Sequence, residues 1–141
     1  MNQQSQFDQE NDLTLNLKFK LRNISPLGTA FLDISEESDL SKNGTVIEKI
    51  FDGQFENIPI LIVRETENKY HAFCSVCPHE RKRVRTPIYP EIDLICYAHH
   101  CHFSQIDGHV IIGPSKDSLT KYKTFFNSQT KILTITSEDN G

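Results

Sequence analysis

Two short stretches restrict this chain more than anything else in it: Cys77-Pro78-His79 and Cys96-Tyr97-Ala98-His99, with sixteen residues between His79 and Cys96. Each offers one thiolate and one imidazole. The second runs on into His100, Cys101 and His102, so residues 96–103 hold two cysteines and three histidines. Core packing does not produce such density, because an unpaired imidazole is costly to bury and clustered thiols oxidise. The pattern points first to a metal centre, and it requires a scaffold that presents two loops side by side.

The remainder of the sequence supplies such a scaffold from short strands. Residues 13–21, LTLNLKFKL, set Leu13, Leu15, Leu17, Phe19 and Leu21 against Thr14, Asn16, Lys18 and Lys20, a strict period of two that marks a half-buried strand. A turn-prone stretch around Pro26 and Gly28 follows, and then DISEESDLSKNG reads as a loop or one short helical turn before Gly44. Strands are expected at 45–51, 58–65, 69–75, 92–97, 110–112 and 131–136, punctuated by Gly53, by TEN at 66–68 and by IDGH at 106–109. No long segment has helical periodicity, which favours a β-sandwich or barrel.

At 141 residues the chain suits one domain with a real core. A net charge of -4 argues against a general nucleic-acid binder, and no apolar run is long enough to span a bilayer. The opening MNQQSQFDQEND has neither the charged nor the apolar region of a secretory signal, so a soluble, cytoplasmic protein is expected. Four cysteines in that setting favour metal ligation or free thiols over disulfides.

Downstream of the second pair come Phe103, Gly108, the dipeptide Gly113-Pro114, Leu119 and Tyr122. Taken with C-x-H and C-x-x-H at this separation, the arrangement resembles the Rieske iron–sulfur family, over roughly residues 45 to 137. The resemblance implies an all-β, Rieske-like antiparallel β-sandwich with a small cluster-binding subdomain formed by two loops. It implies a 2Fe-2S cluster held by Cys77, His79, Cys96 and His99. The resemblance delimits a Rieske domain at 45–137; the residue pattern, not the resemblance, adds a disordered tail at 1–12, an extension with one strand at 13–44 and a short tail at 138–141. The cluster loops fall at 77–85 and 96–104, and the Gly-Pro loop at 113–115.

The ligand set has a physical rationale. A diferric centre with two sulfides is doubly positive, so four thiolates leave it doubly negative, whereas two thiolates and two neutral imidazoles leave it neutral. Adding an electron to a neutral site is easier, and histidine ligation accordingly raises the potential to about -150 to +300 mV, against roughly -400 mV for plant-type ferredoxins.

Several positions depart from the quinol-oxidising members of the family. Lys82 and Ala98 stand where those carry a disulfide, and Cys101 and Phe103 stand where they carry hydroxyl donors to the cluster. The resemblance therefore implies a lower-potential, ferredoxin-type protein. Arg81 and His100 occupy loop positions that are commonly glycine. Of the other residues, His100, Cys101 and His102 are expected beside the cluster or on the surface, Cys74 as a small buried hydrophobe, and His71 and His109 as surface histidines.

The function implied is one-electron transfer between a reductase and a terminal oxidoreductase such as an oxygenase, with no enzyme chemistry of its own. An electron-transfer subunit of a larger oxidoreductase is a variant of this reading. The run ERKRVR places Arg81, Lys82, Arg83 and Arg85 directly after His79, where positive charge would steer a redox partner onto the cluster tip. Two other classes compete: a structural zinc module using Cys74 and Cys77 with Cys96 and Cys101 or a histidine, and a cysteine hydrolase using Cys77 or Cys96. The first leaves Gly113-Pro114 unexplained, and the second lacks an identifiable orienting Asn or Asp and oxyanion site.

Overall fold

A computed structural model describes residues 26–78, 82–87, 92–98 and 100–137. The expected strand at 13–21 and both tails lie outside them. Nine antiparallel strands occur among the described residues: β1 (Thr29–Asp33), β2 (Val46–Lys49), β3 (Ile60–Thr66), β4 (Lys69–Cys74), β5 (Leu94–Cys96), β6 (Cys101–Phe103), β7 (Val110–Ile112), β8 (Lys121–Asn127) and β9 (Ile132–Thr136). Six form a curled sheet in the order β1-β9-β8-β4-β3-β2, and β5-β6-β7 form a second, smaller sheet. The architecture is thus the all-β, antiparallel one expected. Among the described residues no helix is long and apolar enough to cross a membrane.

Strand β3 shows how sequence sets the layers. Its run of Ile60, Leu61, Ile62 and Val63 is apolar without a break because both faces are covered. Ile60 and Ile62 join Tyr70, Ala72 and Cys74 of β4 in the core inside the curl, where Leu32, Leu133, Ile135 and Tyr122 complete the packing. Leu61 and Val63 face the other way and pack with Phe73 against the smaller sheet. Phe55 fills the inner core beside Tyr122, with ring centroids 4.9 Å apart, and Tyr122 donates its hydroxyl to the Pro26 carbonyl at 3.1 Å. That burial holds a turn in which Phe55, Glu56 and Asn57 all take left-handed backbone angles, φ 53°, 55° and 60°, at a cost of about 1–2 kcal/mol each.

The polar stretch before Gly44 makes two 3-10 turns, Ile34–Glu36 and Ser38–Leu40, the second anchored by the buried Leu40. Three strands were not expected from the sequence: β1, β6 and β8. Sequence boundaries start the domain at residue 45, yet the sheet takes in β1, which pairs along its whole length with β9.

Candidate metal centre

The first loop leaves the sheet directly from β4. The chain doubles back at once, with the Cys77 N–H donating to the Lys82 carbonyl at 2.7 Å and the Val84 N–H to the Ser75 carbonyl at 2.7 Å, which puts Cys77 at the neck of a closed loop. The second loop is the β5–β6 hairpin, in which Cys96 pairs with Cys101 across the strands and Tyr97, Ala98 and His100 lie in the turn between them. The two necks are laced together, since Arg85 N–H donates to the Ile95 carbonyl at 2.9 Å and Ile95 N–H returns to the Arg85 carbonyl at 3.4 Å. His79, Glu80, Arg81 and His99 lie outside the described residues.

All four cysteines are buried, but not together. Cys77, Cys96 and Cys101 share one apolar cluster with Val84, Leu94, Phe103 and Leu119, whereas Cys74 belongs to the core on the opposite side of the sheet. Burial pushes the Cys74 thiol up to about 11. Cys77 and Cys74 therefore do not offer a single metal pair, which leaves the proposed zinc arrangement without its first half. The residues present fit an iron–sulfur cluster in this respect: two thiols at the necks of two joined loops, held in an apolar shell that keeps the local dielectric low. Two residues before Cys77, the Ser75 hydroxyl is buried with no partner among the described residues.

The Gly-Pro loop closes against this hairpin. Gly113 has φ +116°, and a Cβ there would lie 2.7 Å from the Cys101 Cα, 2.9 Å from its Sγ and 3.1 Å from the His100 carbonyl oxygen, so only glycine lets the loop come this near. The buried Ser115 shapes the next turn, donating to the Asp117 carbonyl at 2.8 Å. His100 itself takes φ +55°, the left-handed conformation that glycine favours at such positions. Phe103 and Cys101 are both buried, and neither side chain carries a hydroxyl.

Other polar residues divide as follows. His102 Nδ1 is 2.9 Å from Asp93 Oδ2 at the base of the hairpin. His109 is exposed and 2.5 Å from Asp107, whose carboxyl is held below its usual range by hydrogen bonds from the His109 backbone and ring. His71, expected at the surface, is instead buried: it sits opposite Val63 between strands, and its Nε2 is 2.6 Å from Glu65 Oε1. That hydrogen bond holds the Glu65 carboxyl below its usual range. Within the basic run, Arg83 is tied to Glu48 of β2 and its guanidinium is mostly buried. Sequence reading did not single out Glu48 or Asp93, since isolated acids in a strand or loop give no signal of a cross-chain partner.

A family model described as the Rieske [2Fe-2S] domain matches residues 30–123. Among solved structures, the chain is similar to the cyanobacterial plasma membrane Rieske protein PetC3 from Synechocystis PCC 6803, at 18% identity and a TM-score of 0.54 over 79% of this chain and 98% of that one. It is similar to the ferredoxin of carbazole 1,9a-dioxygenase from Nocardioides aromaticivorans IC177, at 16% identity and a TM-score of 0.52 over 82% and 100% of the two chains. It is also similar to the quaternary ammonium Rieske monooxygenase CntA, at 16% identity and a TM-score of 0.56, covering 92% of this chain but 37% of that one. No curated protein matches.

Proposed function

The chain belongs to the Rieske [2Fe-2S] domain family, and on that premise we propose that it is a cytoplasmic one-electron carrier whose cluster is held by Cys77, His79, Cys96 and His99. The cluster supplies a single reversible electron at a site left electrically neutral by mixed ligation. The chain's own residues bring the two loops together, exclude water from the thiolate end and leave the imidazole end as the route out. What supports this most is the lacing of the two loop necks, which places Cys77 and Cys96 in one apolar cluster under Gly113. The partners are a reductase and a terminal oxidoreductase such as an oxygenase; service as the electron-transfer subunit of a larger oxidoreductase uses the same site.

Docking is assigned to Arg81, Lys82 and Arg85. Arg83, from the same run, is engaged by Glu48 and serves the fold. Ligand substitution tests the assignment. His79→Ala and His99→Ala are expected to abolish the visible absorbance of the purified protein, while Cys74→Ser, His100→Ala and His102→Ala retain it. Loss of iron in Cys74→Ser combined with retention in His99→Ala would refute the ligand set.

A further inference from the structure

The first loop is fastened to the large sheet by a charged pair that borders the apolar shell around Cys77 and Cys96. Arg83 stands opposite Val76 across an antiparallel bridge, between Lys82, whose carbonyl takes the Cys77 amide, and Val84, which packs in one cluster with Cys77. Its guanidinium reaches Glu48 of β2, with Nη2 donating to Oε2. Glu48 pairs directly with Leu61 of β3, and side chains opposite each other on antiparallel strands share a face. Leu61 belongs to the apolar cluster that contains Cys77, Cys96 and Cys101, and Val46, two positions before Glu48, packs against that same cluster. The pair therefore lies along the wall of the proposed centre. Side-chain exposure is 13% for Arg83 and 30% for Glu48, so water and salt screen the pair poorly.

Packing alone does not call for charge at this place, because a partly buried ion pair stabilises a fold no better than apolar side chains of similar volume. Electron transfer gives it a use. A diferric cluster with two thiolates and two neutral imidazoles is neutral, and the added electron leaves it with one net negative charge. A neighbouring cation favours the reduced form and a neighbouring anion the oxidised form, with a longer reach where the surroundings are apolar. We propose that Glu48 is a positioning and charge-balancing residue of the centre: it holds Arg83, and with it the first loop, against β2, and it offsets the field that the guanidinium would otherwise exert on the cluster. This rests on Cys77 as a cluster ligand. It also separates Arg83 from Lys82 and Arg85, since a buried, paired charge sets the local potential whereas a solvated one steers a partner.

Redox titration of the full, cluster-loaded chain, followed by visible absorbance, tests the proposal. Glu48→Gln keeps an oxygen that accepts from the guanidinium but removes the compensating charge. The midpoint is expected to rise, and the ratio of reduced to oxidised protein at a fixed applied potential to increase about threefold or more. Arg83→Gln is expected to lower the midpoint, and by less, because Glu48 is the more exposed partner. Glu48→Gln combined with Arg83→Gln should return close to the unaltered chain, and both single shifts should persist at high salt. A clasp without an electrostatic role would not move the two single variants in opposite directions. Shifts of the same sign, no shift in Glu48→Gln, or shifts that vanish at high salt would each overturn the proposal. Should Arg83→Gln load no cluster, Glu48→Gln alone decides, and an unmoved or lowered midpoint overturns it. Failure of the ligand reading has a different signature, iron retained in Cys77→Ser.

Discussion

Cys74 and Cys77 stand three positions apart in the sequence and do opposite things. Cys74 points into the inner core, and burial raises its thiol from about 9 to about 11. A group whose folded value is raised stabilises the fold at pH below its unfolded value and loses that contribution as pH climbs through the folded one. Stability is therefore expected to fall by roughly 2–3 kcal/mol as pH rises from about 9 to about 11. Cys74→Ala should flatten that fall at the cost of a small cavity, and thermal melts across the range would show it. Modification by thiol reagents at neutral pH should spare Cys74 for the same reason. His71 is the residue that single-position reasoning misjudged. A histidine near a turn is usually exposed, and its burial here depends on Glu65, a partner six positions away that the sequence does not mark.

Among the elements, the hairpin β5–β6 and the Gly-Pro loop act as one unit. Gly113→Ala would set a methyl group against the backbone of Cys101 in a conformation unfavourable to alanine, for an expected loss of about 1–3 kcal/mol. Chemical denaturation should measure that loss, and the rate of iron release should rise with it, because the same movement loosens the hairpin that carries Cys96. The two loops proposed to carry the ligands were marked in the sequence by the spacing of Cys77 and His79 and of Cys96 and His99, and the close approach of Gly113 to the second loop agrees with the Gly-Pro signal. The strands β3, β4, β7 and β9 were legible through their runs of β-formers. Strand β6 is three residues of cysteine, histidine and phenylalanine, and β8 interleaves lysines with aromatics, so neither carries a clean period. In β1 the sequence Ala30, Phe31, Leu32 hides the alternation, because Phe31 is exposed although apolar.

At the scale of the whole molecule, charge decides how partners arrive. On the proposed docking role, a net charge of -4 would repel an acidic partner from most of the surface, whereas Arg81, Lys82 and Arg85, which follow a proposed ligand in sequence, would draw such a partner toward the cluster. Replacing the three by Gln is expected to slow electron transfer to the natural acceptor at low salt and to matter little at high salt, since screening acts over about 8 Å at physiological ionic strength. Stopped-flow kinetics over an ionic-strength series would detect this, and unchanged low-salt rates would reduce the run to a solvated surface. The absence of hydroxyl donors at Cys101 and Phe103 places the expected midpoint at roughly -150 to +50 mV, below what quinol oxidation requires.

The central claim is that this chain holds a binuclear iron cluster by two thiolates and two imidazoles. Quantifying iron and acid-labile sulfide in the anaerobically purified protein, followed by electron paramagnetic resonance on the dithionite-reduced sample, tests it most directly. The account predicts equal amounts of iron and sulfide and the low average g-value of mixed thiolate and imidazole ligation. A colourless protein containing zinc, or a reduced signal typical of four thiolates, would contradict it.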